Sequence, residues 1–197
     1  MINLPPFQYS IIVGLLLSDG WLIFASSANK NARLGFKQSL SRSDYVWFVF
    51  NSLSHYCSTN PYLTKGIRNG NRFYGLEFVT RSLPCFTELY YLFYVNKVKT
   101  VPHNIYDLLT PVAFAHLIMG DGSVQRNGLI ICTNSYSIED VVLLMNVLII
   151  RYELECKIRE KRQNQKIEYM IYIRQGSMAK LHTIRGTIVC ILHFYIK

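Results

Sequence analysis

The 197-residue sequence predicts an α+β protein made of two similar halves. Three observations predict it. First, an apolar stretch ending in Asp-Gly occurs twice, as Val13-Gly14-Leu15-Leu16-Leu17-Ser18-Asp19-Gly20 and as Ala115-His116-Leu117-Ile118-Met119-Gly120-Asp121-Gly122. The two aspartates stand 102 positions apart, about half the chain, which is the mark of an internal repeat. Second, the same order of helix, hairpin, helix, hairpin and helix follows from the hydrophobic pattern in each half. Third, the basic residues gather on the hairpins, in both halves alike.

Each motif stretch reads as a helix. Pro5-Pro6 opens the first; Thr110 caps the second, with Pro111 at its first position. Gly20 and Gly122 are expected to close these helices in a positive-φ conformation. Each helix would then deliver one aspartate at its last turn. A carboxylate there is disfavoured by the partial negative charge of the helix C-terminus, by up to ~1 kcal/mol. A hard divalent cation reverses that penalty, because carboxylate and terminal carbonyl oxygens both suit it. Were the two helices to pack side by side, the paired carboxylates would need metal between them or a shared proton.

The remaining elements follow in order. Trp21 to Phe24 and Arg33 to Ser39 form the first hairpin, matched in the second half by Ser123 to Gln125 and Leu129 to Ser135 around the turn Arg126-Asn127-Gly128. This sets Gln38-Ser39 in correspondence with Asn134-Ser135. Helices are expected over Asp44 to Tyr56 and Ile138 to Tyr152, the latter capped by Ser137. Second hairpins join Asn60–Lys65 to Phe73–Thr80, and Cys156–Arg159 to Ile167–Arg174. Further helices begin near Phe86 and Ala179. The halves are expected at 1–96 and 110–197, with a linker at 97–109.

The doubled motif resembles the two signatures of a LAGLIDADG homing endonuclease, in its single-chain, two-motif form. The resemblance covers essentially the whole chain. It implies two pseudo-symmetric αββαββα halves, with the motif helices at their interface and antiparallel sheets forming a DNA-binding saddle. It implies site-specific, metal-dependent cleavage of both strands of a long, imperfectly symmetric target. Asp19 and Asp121 would hold two or three Mg²⁺ ions, with Mn²⁺ able to substitute, helped by the backbone oxygens of Ser18 and Gly120. By the same resemblance Gln38 and Asn134 order the attacking water, and Lys99, in the run Val95 to Pro102, is the basic residue of one site. Lys197, in a terminal Tyr-Ile-Lys that departs from the family's usual ending, stands for the other. Ser18 and Gly120 replace the acid or small residue that commonly precedes the motif aspartate.

Composition bounds the partners. A formal charge of +9 favours a polyanion. The hairpin residues expected to contact DNA are Lys30, Arg33, Lys37, Lys65, Arg68 and Arg72, then Arg126, Lys157, Arg159, Lys161, Arg162, Lys166 and Arg174. A β-ribbon fits the major groove, where Arg reads guanine and Asn or Gln reads adenine; lysines also guard exposed strand edges. No apolar run approaches the ~20 residues that a spanning helix needs. The N-terminal stretch lacks the features of a signal peptide. Five cysteines without CxxC spacing read as reduced core residues. The expected protein is therefore intracellular, not membrane-bound or secreted, and the single-chain form of the resemblance implies a monomer. The resemblance adds that it is encoded in a mitochondrion or chloroplast. Two rival readings stay open: a maturase that binds its intron RNA, and a catalytically degenerate, sequence-specific DNA-binding protein.

Overall fold

The computed structural model describes residues 3–26, 28–68, 70–125, 128–163 and 166–181. The chain divides into two compact units, Met1–Leu92 and Phe93–Lys197. The first begins with helix α1 (Pro6–Leu17), in which every residue from Ser10 to Leu17 is buried. A helix apolar all round has no face to offer water, and burial is its only stable state. Strands β1 (Trp21–Phe24) and β2 (Ala32–Ser39) follow, then α2 (Ser43–Leu53), β3 (Tyr62–Arg68), β4 (Asn71–Val79) and α3 (Pro84–Phe93). The strands form one antiparallel sheet in the order β1-β2-β4-β3.

The second unit opens with a two-residue ribbon, β5 (Tyr94–Val95) against β6 (Val98–Lys99), and a short helix α4 (Ile105–Leu108). It then repeats the pattern: α5 (Pro111–Asp121), β7 (Gly122–Gln125), β8 (Gly128–Cys132), α6 (Ile138–Tyr152), β9 (Cys156–Gln163) and β10 (Lys166–Arg174). The sheet order β7-β8-β10-β9 reproduces that of the first unit. Thr110 caps α5 by accepting from the Ala113 amide at 3.2 Å, and Ser137 does the same for α6 from Asp140.

Successive side chains of a strand point to opposite faces, so register divides each sheet cleanly. In the first, Leu34, Phe36 and Phe78 are fully buried under α2, where Tyr45 and Phe50 meet the Phe36 and Phe78 rings edge-on at 5.4 and 5.7 Å. In the second, Leu129, Ile131, Ile171 and Ile173 form the same layer, and α6 contributes Val141, Leu144, Val147 and Leu148 to the buried set. The segment before α5 is tied down by Tyr152, whose hydroxyl donates to the Leu109 carbonyl at 2.5 Å. Arg151 adds a bond to the Tyr106 carbonyl and lies over the Tyr106 ring.

Several expectations need correction. Neither Gly20 nor Gly122 has positive φ; Gly122 is extended, at φ −79° and ψ 136°. The glycines are needed for space. A Cβ on Gly122 would stand 2.4 Å from the Ile118 carbonyl oxygen, and one on Gly20 would stand 2.9 Å from Leu15. The chain doubles back over the last helical turn so tightly that only hydrogen fits. The second hairpins are also longer than their apolar residues suggested. β3 and β4 run to Arg68 and from Asn71, and β9 and β10 run to Gln163 and from Lys166. Backbone pairing continues past the last buried side chain, because the ladder itself needs no core beneath it. Conversely β8 stops at Cys132, short of the expected Ser135, as Thr133 turns its hydroxyl to the Tyr169 carbonyl at 2.7 Å. The four described cysteines are free thiols, but Cys132 is exposed rather than part of the core.

Candidate active site and nucleic-acid interface

The two motif helices end differently. α1 stops at Leu17, so Asp19 lies two residues beyond it in a tight turn, exposed to solvent. There the Leu15 carbonyl accepts from both the Ser18 and Gly20 amides, at 3.0 and 2.7 Å. α5 continues to Asp121, its final residue, which is half-buried. The expectation of an aspartate in the last turn therefore fits the second copy, while the first carries its acid just past the helix.

Asp19 meets Gln38 directly. Gln38 Nε2 donates to Asp19 Oδ2 at 2.5 Å, and Gln38 is itself buried at the end of β2, on the face that α2 covers. A buried amide bonded to one carboxylate oxygen restrains the orientation of the exposed Asp19 side chain. Asn134 has a different setting. It lies in the turn after β8, where its Nδ2 donates to Glu168 Oε2 at 2.9 Å. The pairings Trp21↔Gly35 and Ser123↔Ile130 align β2 with β8 and put Thr133, not Asn134, at the sheet position of Gln38. Thr133 is buried.

Around Asp121 the second unit gathers Cys132 and Tyr136. Although the residue as a whole is exposed, partial burial of the Cys132 thiol, then the Asp121 carboxylate, pushes it up, with Lys161 offsetting part of the rise. Burial chiefly, then Asp121, Tyr94 and Asp140, raises the Tyr136 phenol. Both groups stay protonated at neutral pH, so neither adds a soft thiolate or a second anion to the aspartate. The donor set that remains, carboxylate and peptide oxygen from Asp19 and Ser18 or from Asp121 and Gly120, is the hard set that Mg²⁺ or Mn²⁺ prefers. Lys99 is half-buried in β6, with its backbone paired to Tyr94. Lys197 lies outside the described residues.

The expected DNA-contacting residues separate by face. In the first sheet, Arg33 and Lys37 lie on the side turned away from α2, with Trp21 and Phe73. The Trp21 and Phe73 rings lie flat over Gly35 and Gly66, where an added Cβ would come within 2.3 and 2.2 Å of them. Lys37 Nζ stands over the Phe73 ring at 5.6 Å. Arg33 Nε is buried with no hydrogen-bond partner among the described residues. Lys30 is exposed in the loop before β2. Lys65 and Arg72 are placed by register on the opposite, helix side. For Arg68 and Lys166 the structure gives the strand position, in β3 and β10. Arg126 lies outside the described residues.

The second sheet is more strongly polarised. The run Lys157-Ile158-Arg159-Glu160-Lys161 alternates, sending three cations to one face and Ile158 and Glu160 to the other. Arg159 stacks on the Tyr172 ring at 3.7 Å and Lys157 stands over the same ring at 5.5 Å. Arg174 joins that face by register and pairs with Glu155 at 3.5 Å; Arg162 is placed on the other. Sequence reading picked out the charges but missed their platforms, Trp21, Phe73 and Tyr172. Isolated glycines inside strand patterns were the available signal for the first two.

An αββαββα unit and a second run of the same order, αββαββ, each joining an Asp-Gly helix terminus to a sheet with one cationic, aromatic face, define a class of two-sheet α/β proteins; the helix expected from Ala179 is described only as far as Leu181 and otherwise lies outside the described residues. Comparison with known proteins places the chain more closely. It belongs to the LAGLIDADG DNA endonuclease family, whose profile matches residues 9–181. Among curated relatives, the cytochrome b mRNA maturase bI2 of Saccharomyces cerevisiae is 31% identical over 186 residues, covering 89% of this chain and 43% of the relative. The intron-encoded endonuclease ai4 of Dictyostelium discoideum is 33% identical over 144 residues, covering 70% of this chain and 89% of the relative. The chain spans about half the length of the maturases it matches, 43% and 58%. Among solved structures, the homing endonuclease I-WcaI bound to its DNA recognition sequence has a TM-score of 0.84 at 22% identity, covering 93% of this chain and 82% of that one. I-DmoI in complex with DNA and Mn has a TM-score of 0.57 at 16% identity, covering 91% and 96%. At these identities the likeness is one of fold.

Proposed function

We propose that this protein is a site-specific endonuclease that cleaves both strands of a long double-stranded DNA site, one motif carboxylate serving each strand. The observation that carries the reading is the repeated device itself. Twice, a buried apolar helix runs out at an Asp-Gly, and the chain passes straight into a sheet whose outer face is cationic. A module that only binds DNA gains nothing from acids aimed at phosphates.

Asp19 and Asp121, with the backbone oxygens of Ser18 and Gly120, would hold two or three Mg²⁺ ions, and Mn²⁺ would substitute. When bound, such a cation activates the attacking water and neutralises charge on the phosphate and leaving oxygen. Gln38 fixes the Asp19 carboxylate and positions water beside it; Asn134 is proposed to order water in the second site. Lys99 and Lys197 are proposed to stabilise the scissile phosphates. Arg33, Lys37, Lys157, Arg159, Lys161 and Arg174 contact DNA, whereas Lys65, Arg72 and Arg162 are better placed for flanking phosphates. The protein is proposed to act as a monomer, encoded within an organelle intron.

A second reading has its own support, since the bI2 relatives are named as mRNA maturases. The same basic faces would then bind intron RNA. The test is incubation of the purified protein with a plasmid carrying the intron-less insertion site, with Mg²⁺ and with EDTA. A linear product that depends on Mg²⁺ is expected. Nicked circles alone would mean that one site works. Salt-sensitive binding of intron RNA without any DNA cleavage would favour the maturase.

A further inference from the structure

Two acids lie on the cationic faces, and phosphate binding gives neither a purpose. The described strands hold three glutamates. Glu160 falls on the helix side opposite Tyr169, while Glu77 shares the face of Lys37 and Glu168 the face of Lys161, each directly across from its lysine. On a surface that binds a polyanion, a carboxylate lowers affinity for every sequence alike. Such a residue is useful only where it meets a donor.

We infer that Glu77 and Glu168 determine target specificity, each accepting a hydrogen bond from the exocyclic amino group of a cytosine in the major groove. The inference rests on the reading of these faces as DNA-contacting surfaces and deepens it. Neither carboxylate is a loose surface acid. The Tyr62 hydroxyl donates to Glu77 Oε1 at 2.7 Å, and Lys37 Nζ stands 3.9 Å from Oε2, so the 18% exposed side chain is fixed between two neighbours. Asn134 fixes Glu168 in the same way, through Oε2 at 2.9 Å. An ionised carboxylate has about four acceptor sites, so each keeps lone pairs for a further donor.

The base follows from the groove code. Guanine offers acceptors to the major groove, and thymine an acceptor and a methyl group. Adenine sets its amino donor beside the N7 acceptor, a pattern suited to Asn or Gln. Cytosine alone presents an amino group with no acceptor of its own alongside, which matches Glu. The competing account is that Glu77 and Glu168 only balance the charges of Lys37 and Lys161. It predicts no change in base preference when either acid is neutralised.

Wild-type protein, Glu77→Gln and Glu168→Gln are each used to select binding sites from a random duplex library in EDTA. Wild type is expected to enrich one long motif containing fixed C·G pairs. E77Q should relax one of these, and E168Q a different one, by roughly tenfold in relative affinity, with the other positions unchanged as proof of folding. A second measurement uses wild type alone. Replacing the assigned cytosine by N4-methylcytosine keeps the pair but blocks the groove-facing N–H, and should weaken binding about as much as E77Q relaxes it. Variants that enrich the wild-type motif with only a uniform change in affinity, or insensitivity to the modified base, would overturn the assignment and leave DNA recognition standing. A wild-type protein that enriches no motif would overturn that recognition and this inference together.

Discussion

Replacing Asp19 by Asn separates chemistry from fold and from binding. Asp19 is exposed and lies beyond the end of α1, and Gln38 Nε2 bonds one of its oxygens. Asn keeps the shape and one carbonyl oxygen for that bond. Surface substitutions of this kind change stability by about 0.5 kcal/mol or less, and removing a negative charge beside a helix C-terminus gains a few tenths. For a chain of 197 residues this is a shift of about 2 °C or less in melting temperature. DNA affinity should hold or rise slightly, since a carboxylate facing phosphates is gone. Cleavage should fall by ~10²–10³, the loss seen when a group that stabilises transition-state charge is removed. The assay follows plasmid conversion in Mg²⁺ alongside a gel shift in EDTA, on protein whose melting curve has been recorded. With one site disabled and the other intact, nicked circle should replace linear product. Loss of binding in step with cleavage, or a large drop in melting temperature, would refute the reasoning and make Asp19 a structural residue. Undiminished cutting would exclude it from catalysis.

Other consequences can be checked separately. Gly122→Ala should destabilise the fold by roughly 1–3 kcal/mol, because its Cβ would stand 2.4 Å from the Ile118 carbonyl oxygen. Gly20→Ala should cost less, at 2.9 Å from Leu15, and thermal melts of the two variants should rank in that order. Arg159→Ala should weaken DNA binding and reduce the slope of log affinity against log salt by about one; an unchanged slope would remove Arg159 from the DNA-contacting set. His116 is fully buried, and burial lowers its pKa to about 3 from an ordinary 6.5. The unfolded chain therefore binds the extra proton between those values. The stabilisation is complete above pH 6.5 and is lost as pH falls, at about 1.4 kcal/mol per unit down to about pH 3. His116→Leu should flatten the acid limb of stability measured by denaturant titration between pH 6.5 and 4; an unchanged limb would assign acid sensitivity to other groups.

Much of the architecture is local in origin, and the sequence by itself determined it. The doubled Asp-Gly stretch, the caps Thr110 and Ser137, and the alternation of residues 157–161 depend on contacts within a few residues, so periodicity reveals them. The repeat then doubled every inference, since a pattern weak in one half was supported by its counterpart. The pairing of Gln38 with Asp19, 19 residues apart, was not legible, because it joins a strand end to the turn after a helix across a hairpin; the family resemblance pointed to Gln38 only as a residue that orders water. Strand register was decided by tertiary structure alone. A shift of one residue reverses which face a side chain occupies. Hence Lys65, Arg72 and Arg162 look like their neighbours in the sequence yet sit on the other side of the sheet, and Asn134 falls one residue past the position of Gln38, which register gives to Thr133. The close returns at Gly20 and Gly122 were hidden for a related reason. A sequence shows that glycine is wanted, but only the packed backbone shows whether it supplies a rare φ or the absence of a Cβ.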